Sequence, residues 1–342
     1  MEPLTLKTDS AVSQLFFTQS FDEVRENLQD LLPEKGSVVA IIDEKVDRLY
    51  GELFPFEKIS IVADEQEKTF ETVVHVTRRL MEMGAGRDTF LLGVGGGVTT
   101  DICGFVASIY KRGVGFGFVP TTLLAMVDAA IGGKNGVNVD GYKNMMGTIN
   151  QPQFVIGCPR FLSSFSKSEL CKSVPELLKT RLISRKPIEE LAVFFGNGDF
   201  PELLENERFL GFIREAAEVK CGVVAEDERE SGYRRILNLG HTFAHALERC
   251  SGNRLSHGEA VGIGLVLSAK NGDAEKMAQH IAAALKQLGL PSQIPDNMDI
   301  AELNRAVLQD KKNSGSHLNL VVIDEAGKIS FRQKSVKDLI WY

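Results

Sequence analysis

Apolar and polar positions follow two rhythms along this 342-residue chain. In the first half, short runs of β-branched and large apolar residues at 37–43 (SVVAIID), 59–63 (ISIVA), 89–94 (TFLLGV) and 114–119 alternate with segments of helical period, most clearly 67–83. Strands interleaved with helices make a parallel sheet covered on both faces, whose strands read as unbroken apolar runs. Residues 123–130, after Pro120-Thr121-Thr122, predict a further helix. Residues 1–155 are therefore expected to form a Rossmann-type α/β domain. Past Gln151-Pro152 the rhythm changes: 167–183, 202–221, 241–249, 259–271 and 273–288 carry apolar residues at three-to-four spacing. Residues 156–342 are expected to be mainly helical, with one hairpin near the end where 318–323 and 328–332 flank Asp324-Glu325-Ala326-Gly327.

Composition narrows the class. A hydrophobic fraction of 43% and a charged fraction of 25% are those of an ordinary folded protein. The net charge of −7 spreads over both halves, which argues against nucleic acid or an anionic membrane as partner. The start, MEPLTLKTDSAVSQLFF, lacks a basic stretch leading into an apolar core, and no run approaches the roughly 18 apolar residues of a membrane span. A cytoplasmic location is the expectation. Five cysteines, Cys103, Cys158, Cys171, Cys221 and Cys250, stand without CxxC spacing, so they are read as buried or incidental thiols.

Four constellations carry candidate chemistry. Gly93-Val94-Gly95-Gly96-Gly97-Val98 leaves a strong strand and leads to Asp101 at a helix start. Glycines there let backbone N–H groups approach a pyrophosphate, although the spacing is not G-x-G-x-x-G and a plain tight turn fits equally well. The stretch 129–144 packs Lys134, Asn135, Lys143 and Asn144 among glycines. Such lysines suit phosphate or carboxylate, while by composition alone a solvated loop is the plainer reading. Third, His241 and His245 fall four apart on a predicted helix, with His257 opening the next. Three of the chain's six histidines within seventeen residues point to a metal or catalytic cluster. Spacing leaves a further ligand open. Glu176 and Lys179, three apart, offer a carboxylate beside a cation, or an ordinary surface ion pair. Finally, Lys220, Glu230 and Arg234 bracket an acidic turn, and Asp310-Lys311-Lys312 carries the same ambiguity between site and solvated charge.

Taken in order, GGGVTTDICGF, YKRG, VPTTLLAMVDAAIGGKNGVN, YKNMMG, PELLK, KCGVVAEDERESGYRRILNLGHTFAHA, HGEAV and DKK resemble the 3-dehydroquinate synthases, within the sugar phosphate cyclases, from Asp43 to Lys312. The resemblance implies a zinc ion, with cobalt as the alternative, held by Glu176, His241 and His257. His245 then becomes a contact to substrate phosphate rather than the ligand its spacing suggests. The resemblance further implies NAD lying against Gly96, Gly97, Val98 and Asp101, with Asp43, Glu65, Lys68, Thr121, Thr122, Asp128 and Lys143 also lining its site. Substrate would meet Lys134, Asn144, Lys179, Lys220, Glu230, Arg234, Asn238 and either Lys311 or Lys312. Arg112 would reach in from a second copy of a homodimer. The implied substrate is a small sugar acid phosphate, 3-deoxy-arabino-heptulosonate 7-phosphate. Its ring hydroxyl is oxidised, phosphate is eliminated, the hydride is returned and the opened ring recloses by aldol addition, a step toward aromatic amino acids. The pattern departs at Thr99-Thr100, Ala129 and Pro175, where the family usually has small residues, a serine and an AEVIKYG-like segment. Other readings are a cyclase with a different substrate, a metal-dependent polyol dehydrogenase, and a scaffold or sensor without activity.

Overall fold

The apolar runs of the first half become strands of one sheet. In the computed structural model, which describes every residue except Met1, Gly141, Pro201, Asn253 and 311–316, the strands are β1 (Leu4–Lys7), β2 (Val12–Phe17), β3 (Val38–Asp43), β4 (Glu57–Ile61), β5 (Phe90–Gly95), β6 (Phe116–Pro120), β7 (Lys134–Val139), β8 (Tyr142–Ile149), β9 (Phe154–Gly157), β10 (His317–Ile323) and β11 (Ile329–Ser335). Seven of them form a sheet in the order β1-β2-β9-β6-β5-β3-β4, parallel except for the β1–β2 pair. β5 and β6 are buried along their whole length, which explains their unbroken apolar sequence. The chain passes from β3 outward to β4, then returns to the other side of β3 with β5. That reversal leaves a crevice beyond the carboxyl ends of β3 and β5, the usual ligand position in such sheets.

The helices are α1 (Phe21–Leu31), α2 (Glu44–Tyr50), α3 (Phe70–Glu82), α4 (Gly97–Ile109), α5 (Lys167–Ile183), α6 (Glu189–Asn197), α7 (Glu202–Glu205), α8 (Glu207–Glu226), α9 (His241–Ser251), α10 (His257–Lys270), α11 (Glu275–Gln287) and α12 (Ile300–Asp310). α3 shows why the helical period was readable: Val73, Val76 and Leu80 form its buried stripe. Each such side chain contributes roughly 1.5–3 kcal/mol on burial.

Two compact units result, Met1–Ser164 with Leu204–Arg229, and Phe165–Leu203 with Glu230–Tyr342. A single cut after residue 155 does not capture this, because α8 packs against β1 and the turn at 125–129 of the first unit. Two further segments differ from expectation. The Gly-rich stretch 129–144 contributes to an antiparallel β7–β8 hairpin, and residues 125–129 form a π-helical turn. The hairpin was hidden because all of β8 but one residue is exposed, so no apolar alternation marks it.

In the second unit, α10 is buried from Gly258 to Ala269 apart from Glu259, against α5, α9, α11 and β10. Both α5 and α10 start with a reciprocal Ser-x-x-Glu cap, Ser166 with Glu169 and Ser256 with Glu259. Such caps fix where a helix begins, at about 1 kcal/mol each. α5 continues through Pro175 to Ile183, so proline does not set its start. Among the described residues no helix is long and apolar enough to cross a membrane, and all five cysteines are free.

Candidate active site

In the first unit, the expected nucleotide residues gather at the carboxyl ends of β3, β5 and β6. Gly96 caps α4 without a side chain to bond its first-turn N–H groups, and Gly97 and Val98 form that turn. The first turn holds no acidic residue, so donors and helix dipole are left for an anion. Asp43 ends β3 and accepts from Lys45 N at 2.8 Å, which caps α2. Thr121 N donates to Gly95 O at 2.9 Å, and Thr122 Oγ1 accepts from Ala125 N at 3.2 Å.

Asp101 Oδ2 pairs with Lys68 Nζ at 2.5 Å, and the same ammonium donates to Asn144 Oδ1 at 2.7 Å. Asn138 donates to Glu65 Oε1 at 2.8 Å and accepts from Asn144 N at 2.8 Å, so the hairpin ties Glu65, Lys68, Asp101 and Asn144 into one network. Asn144 has φ +54, a left-handed conformation asparagine tolerates better than most. Burial pushes the Asp101 carboxyl up to about 6, against the pull of Lys68. Lys220 on α8 pairs with the Asp128 carboxylate and donates to its carbonyl at 2.6 Å. Lys134 opens β7, exposed, and Lys143 is exposed on β8. Arg112 is exposed with φ +72.

In the second unit, three ligand-type side chains converge. Glu176, His241 and His257 each offer an atom within 4.8 Å of the others. Glu176 comes from the middle of α5, His241 opens α9 and His257 opens α10. Both Nε2 atoms face Glu176 Oε1, His241 at 3.4 Å and His257 at 3.1 Å. What brings α10 so close is Gly258: a Cβ there would run into the Lys172 carbonyl of α5. Glu176 Oε2 lies 2.6 Å from Lys179 Nζ but takes no hydrogen bond of good geometry. The surface reading of this pair is corrected, since Glu176 and Lys179 are 1% and 2% exposed; the i, i+3 spacing looks alike on a surface and in a core.

Burial alone would raise the Glu176 carboxyl, yet Lys179 and the two imidazoles hold it well below the usual range. Burial, reinforced by Lys179, lowers His241 and keeps it neutral. Burial opposes charge on His257 as well, but hydrogen bonds to Glu176 and Glu248 push it up to about 10. One anionic carboxylate and two imidazole nitrogens on one point fit Zn²⁺ or Co²⁺, the ion replacing the proton that His257 Nε2 shares with Glu176.

Nearby, Arg234 is fully buried in the turn Tyr233–Asn238, and Asn238 Nδ2 donates to Glu230 Oε1 at 3.0 Å. His245 sits one turn beyond His241, rings 5.7 Å apart, outside the three-residue cluster. Lys311 and Lys312 lie outside the described residues. One participant escaped the sequence reading: Glu248, whose Oε1 lies 3.2 Å from His257 Nδ1. The signal was its position seven residues after His241, on the same helical face.

The fold is that of the sugar phosphate cyclases. It matches a 2-deoxy-scyllo-inosose synthase at a TM-score of 0.82, with 24% identity over 98% of this chain and 97% of that one. It likewise matches the 2-epi-5-epi-valiolone synthase of Streptomyces hygroscopicus, solved with NAD+ and Zn2+, at a TM-score of 0.82 and 26% identity over 95% and 94% of the chains. Within that class the chain belongs to the 3-dehydroquinate synthase family: the family's N-terminal profile matches residues 58–172 and its C-terminal profile residues 174–313. A 3-dehydroquinate synthase from Pyrococcus abyssi is 41% identical over 294 residues, 84% of each chain.

Proposed function

We propose that this chain converts 3-deoxy-D-arabino-heptulosonate 7-phosphate into 3-dehydroquinate and inorganic phosphate, using NAD and a divalent ion, zinc or cobalt. The observation that carries the reading is the convergence of Glu176, His241 and His257 in a member of this family. The valiolone synthase with its bound NAD+ and Zn2+ supports the same cofactor pair. When bound, NAD supplies a reversible hydride acceptor and the ion a Lewis acid at the oxygen being oxidised. Every other task falls to side chains. Glu176, His241 and His257 hold the ion. Gly96, Gly97 and Val98 present N–H groups to the pyrophosphate, with Asp43, Glu65, Lys68, Asp101, Thr121, Thr122, Asp128 and Lys143 around the nucleotide.

The substrate's phosphate and carboxylate require local cations in a chain of net charge −7. Lys134, Lys179, Lys220 and Arg234 supply them, with Lys311 or Lys312. Asn144, Asn238 and His245 add uncharged hydrogen bonds, and Glu230 steadies Asn238. The substrate's own phosphate is the base for its elimination. In this reading the protein is a cytoplasmic homodimer in which Arg112 reaches the second copy.

The test is release of inorganic phosphate from the heptulosonate phosphate, with and without a chelator, beside Glu176→Gln and His257→Ala. Losing several kcal/mol of Lewis-acid stabilisation lowers turnover by at least about a thousandfold in all three cases. NADH does not accumulate. Turnover surviving in metal-free protein, or stoichiometric NADH from simple polyols, would overturn the proposal.

A further inference from the structure

The two imidazoles of the cluster are held at their outer nitrogens by different groups. His241 Nδ1 lies 3.1 Å from the Leu239 carbonyl oxygen, and His257 Nδ1 lies 3.2 Å from Glu248 Oε1. A carbonyl or carboxylate oxygen only accepts, so each ring carries a proton on Nδ1 and turns Nε2 toward Glu176. His241 is locked by backbone two residues away. His257 has no such neighbour, and its side chain is 32% exposed against 13% for His241. It also stands at the first position of α10, where the helix dipole works against positive charge.

From this geometry we infer that Glu248 is the positioning residue of the metal centre: its carboxylate holds the Nδ1 proton of His257 and presents Nε2 to the ion. The inference rests on the metal reading above. Glu248 lies outside the three-residue cluster, and its side chain is only 13% exposed. A buried acid so placed does two things. It limits the imidazole to one ring orientation, and its negative charge strengthens the ring as an electron-pair donor. Both effects belong to the bound state, so they appear in metal affinity. A mere tie between α9 and α10 would appear in stability instead.

The experiment is a Co²⁺ titration of full-length protein against a competing chelator, followed by visible absorption. Wild type, Glu248→Ala, Glu248→Gln and His257→Ala are compared, with thermal unfolding of each in excess chelator. Glu248→Ala is expected to weaken Co²⁺ binding by about ten- to a hundredfold and to change the absorption envelope. Glu248→Gln keeps an accepting oxygen but loses the charge, so it recovers part of that loss and falls several-fold short of wild type. Should the alanine variant not fold, the near-isosteric glutamine variant decides by the same comparison. Wild-type affinity and spectrum in either folded Glu248 variant, beside a His257→Ala that has lost the ion, would sink the inference and leave the metal reading standing. A wild type that takes up no Co²⁺ overturns both.

Discussion

Each unit buries a carboxylate against a lysine at nearly the same distance, Asp101 on Lys68 at 2.5 Å and Glu176 on Lys179 at 2.6 Å. Their ionisation moves in opposite directions. Burial carries Asp101 up to about 6 in spite of its lysine, whereas Glu176, fully buried, is held well below the usual range. The difference lies in the company each keeps. Glu65 adds a second negative charge near Asp101, while His241 and His257 both favour the Glu176 anion. One ammonium does not offset the desolvation of a buried carboxylate, but an ammonium and two imidazoles do. A carboxylate poised near neutrality suits a network beside a nucleotide, and one locked in its anionic form suits a cation.

The sharpest way to break this contrast is to withdraw an imidazole from Glu176 without touching either side chain. Gly258→Ala does so, because the new Cβ must displace the Lys172 carbonyl and push α10 off α5. A shift of about 1 Å at a site of this kind costs on the order of a hundredfold in rate. Phosphate release and Co²⁺ affinity should fall together by that order. An alanine variant that kept both would show that the backbone contact does not set the distance between His257 and Glu176.

A smaller effect tests the other half. The Asp101 carboxyl titrates at about 6 in the folded protein against an ordinary 3.8, so the native state holds the proton more tightly than the unfolded chain. The stability this contributes is complete below the ordinary value and is lost as pH rises through about 6. At roughly 1.4 kcal/mol per pH unit, the loss is about 3 kcal/mol. Asp101→Asn has no such proton, so denaturant unfolding at pH 4 and pH 7 should show wild type losing that much more than the variant. Equal losses would mean that Lys68 offsets the burial cost after all.

How far these sites were legible follows from their construction. Strands β3, β5 and β6 announced themselves because both faces are buried and nothing polar interrupts them. The glycine turn was visible since its function resides in contiguous backbone, although only the crevice between β3 and β5 separates it from a plain turn. His241 and His257 stood out as a cluster in a chain poor in histidine. Glu176 did not, because the sequence separation from His257 is 81 residues and burial is decided by helix packing. Spacing favoured His245, on the right face but one turn away from the convergence. Glu248 was hidden for the reverse reason: its role is to hold a ligand, and no ligand-spacing rule describes that.

The smallest effect asks whether the two regions fail independently. At Gly97 a Cβ would stand 3.2 Å from the Ala129 Cβ, closer than side chains ordinarily pack, so the turn at 125–129 must yield by a few tenths of an ångström. That turn also carries Asp128, the partner of Lys220, so the strain spreads within the nucleotide-side network. Overpacking of this kind costs about 1–3 kcal/mol, and even the lower half of that range is about a tenfold weakening of NAD binding. Gly97→Ala should therefore lose about tenfold in NAD affinity by fluorescence titration while its Co²⁺ affinity matches wild type. If Co²⁺ binding weakened in step, the carboxylate of the metal cluster would be answering to the glycine turn, and the contrast between Asp101 and Glu176 would no longer be one between separately built environments.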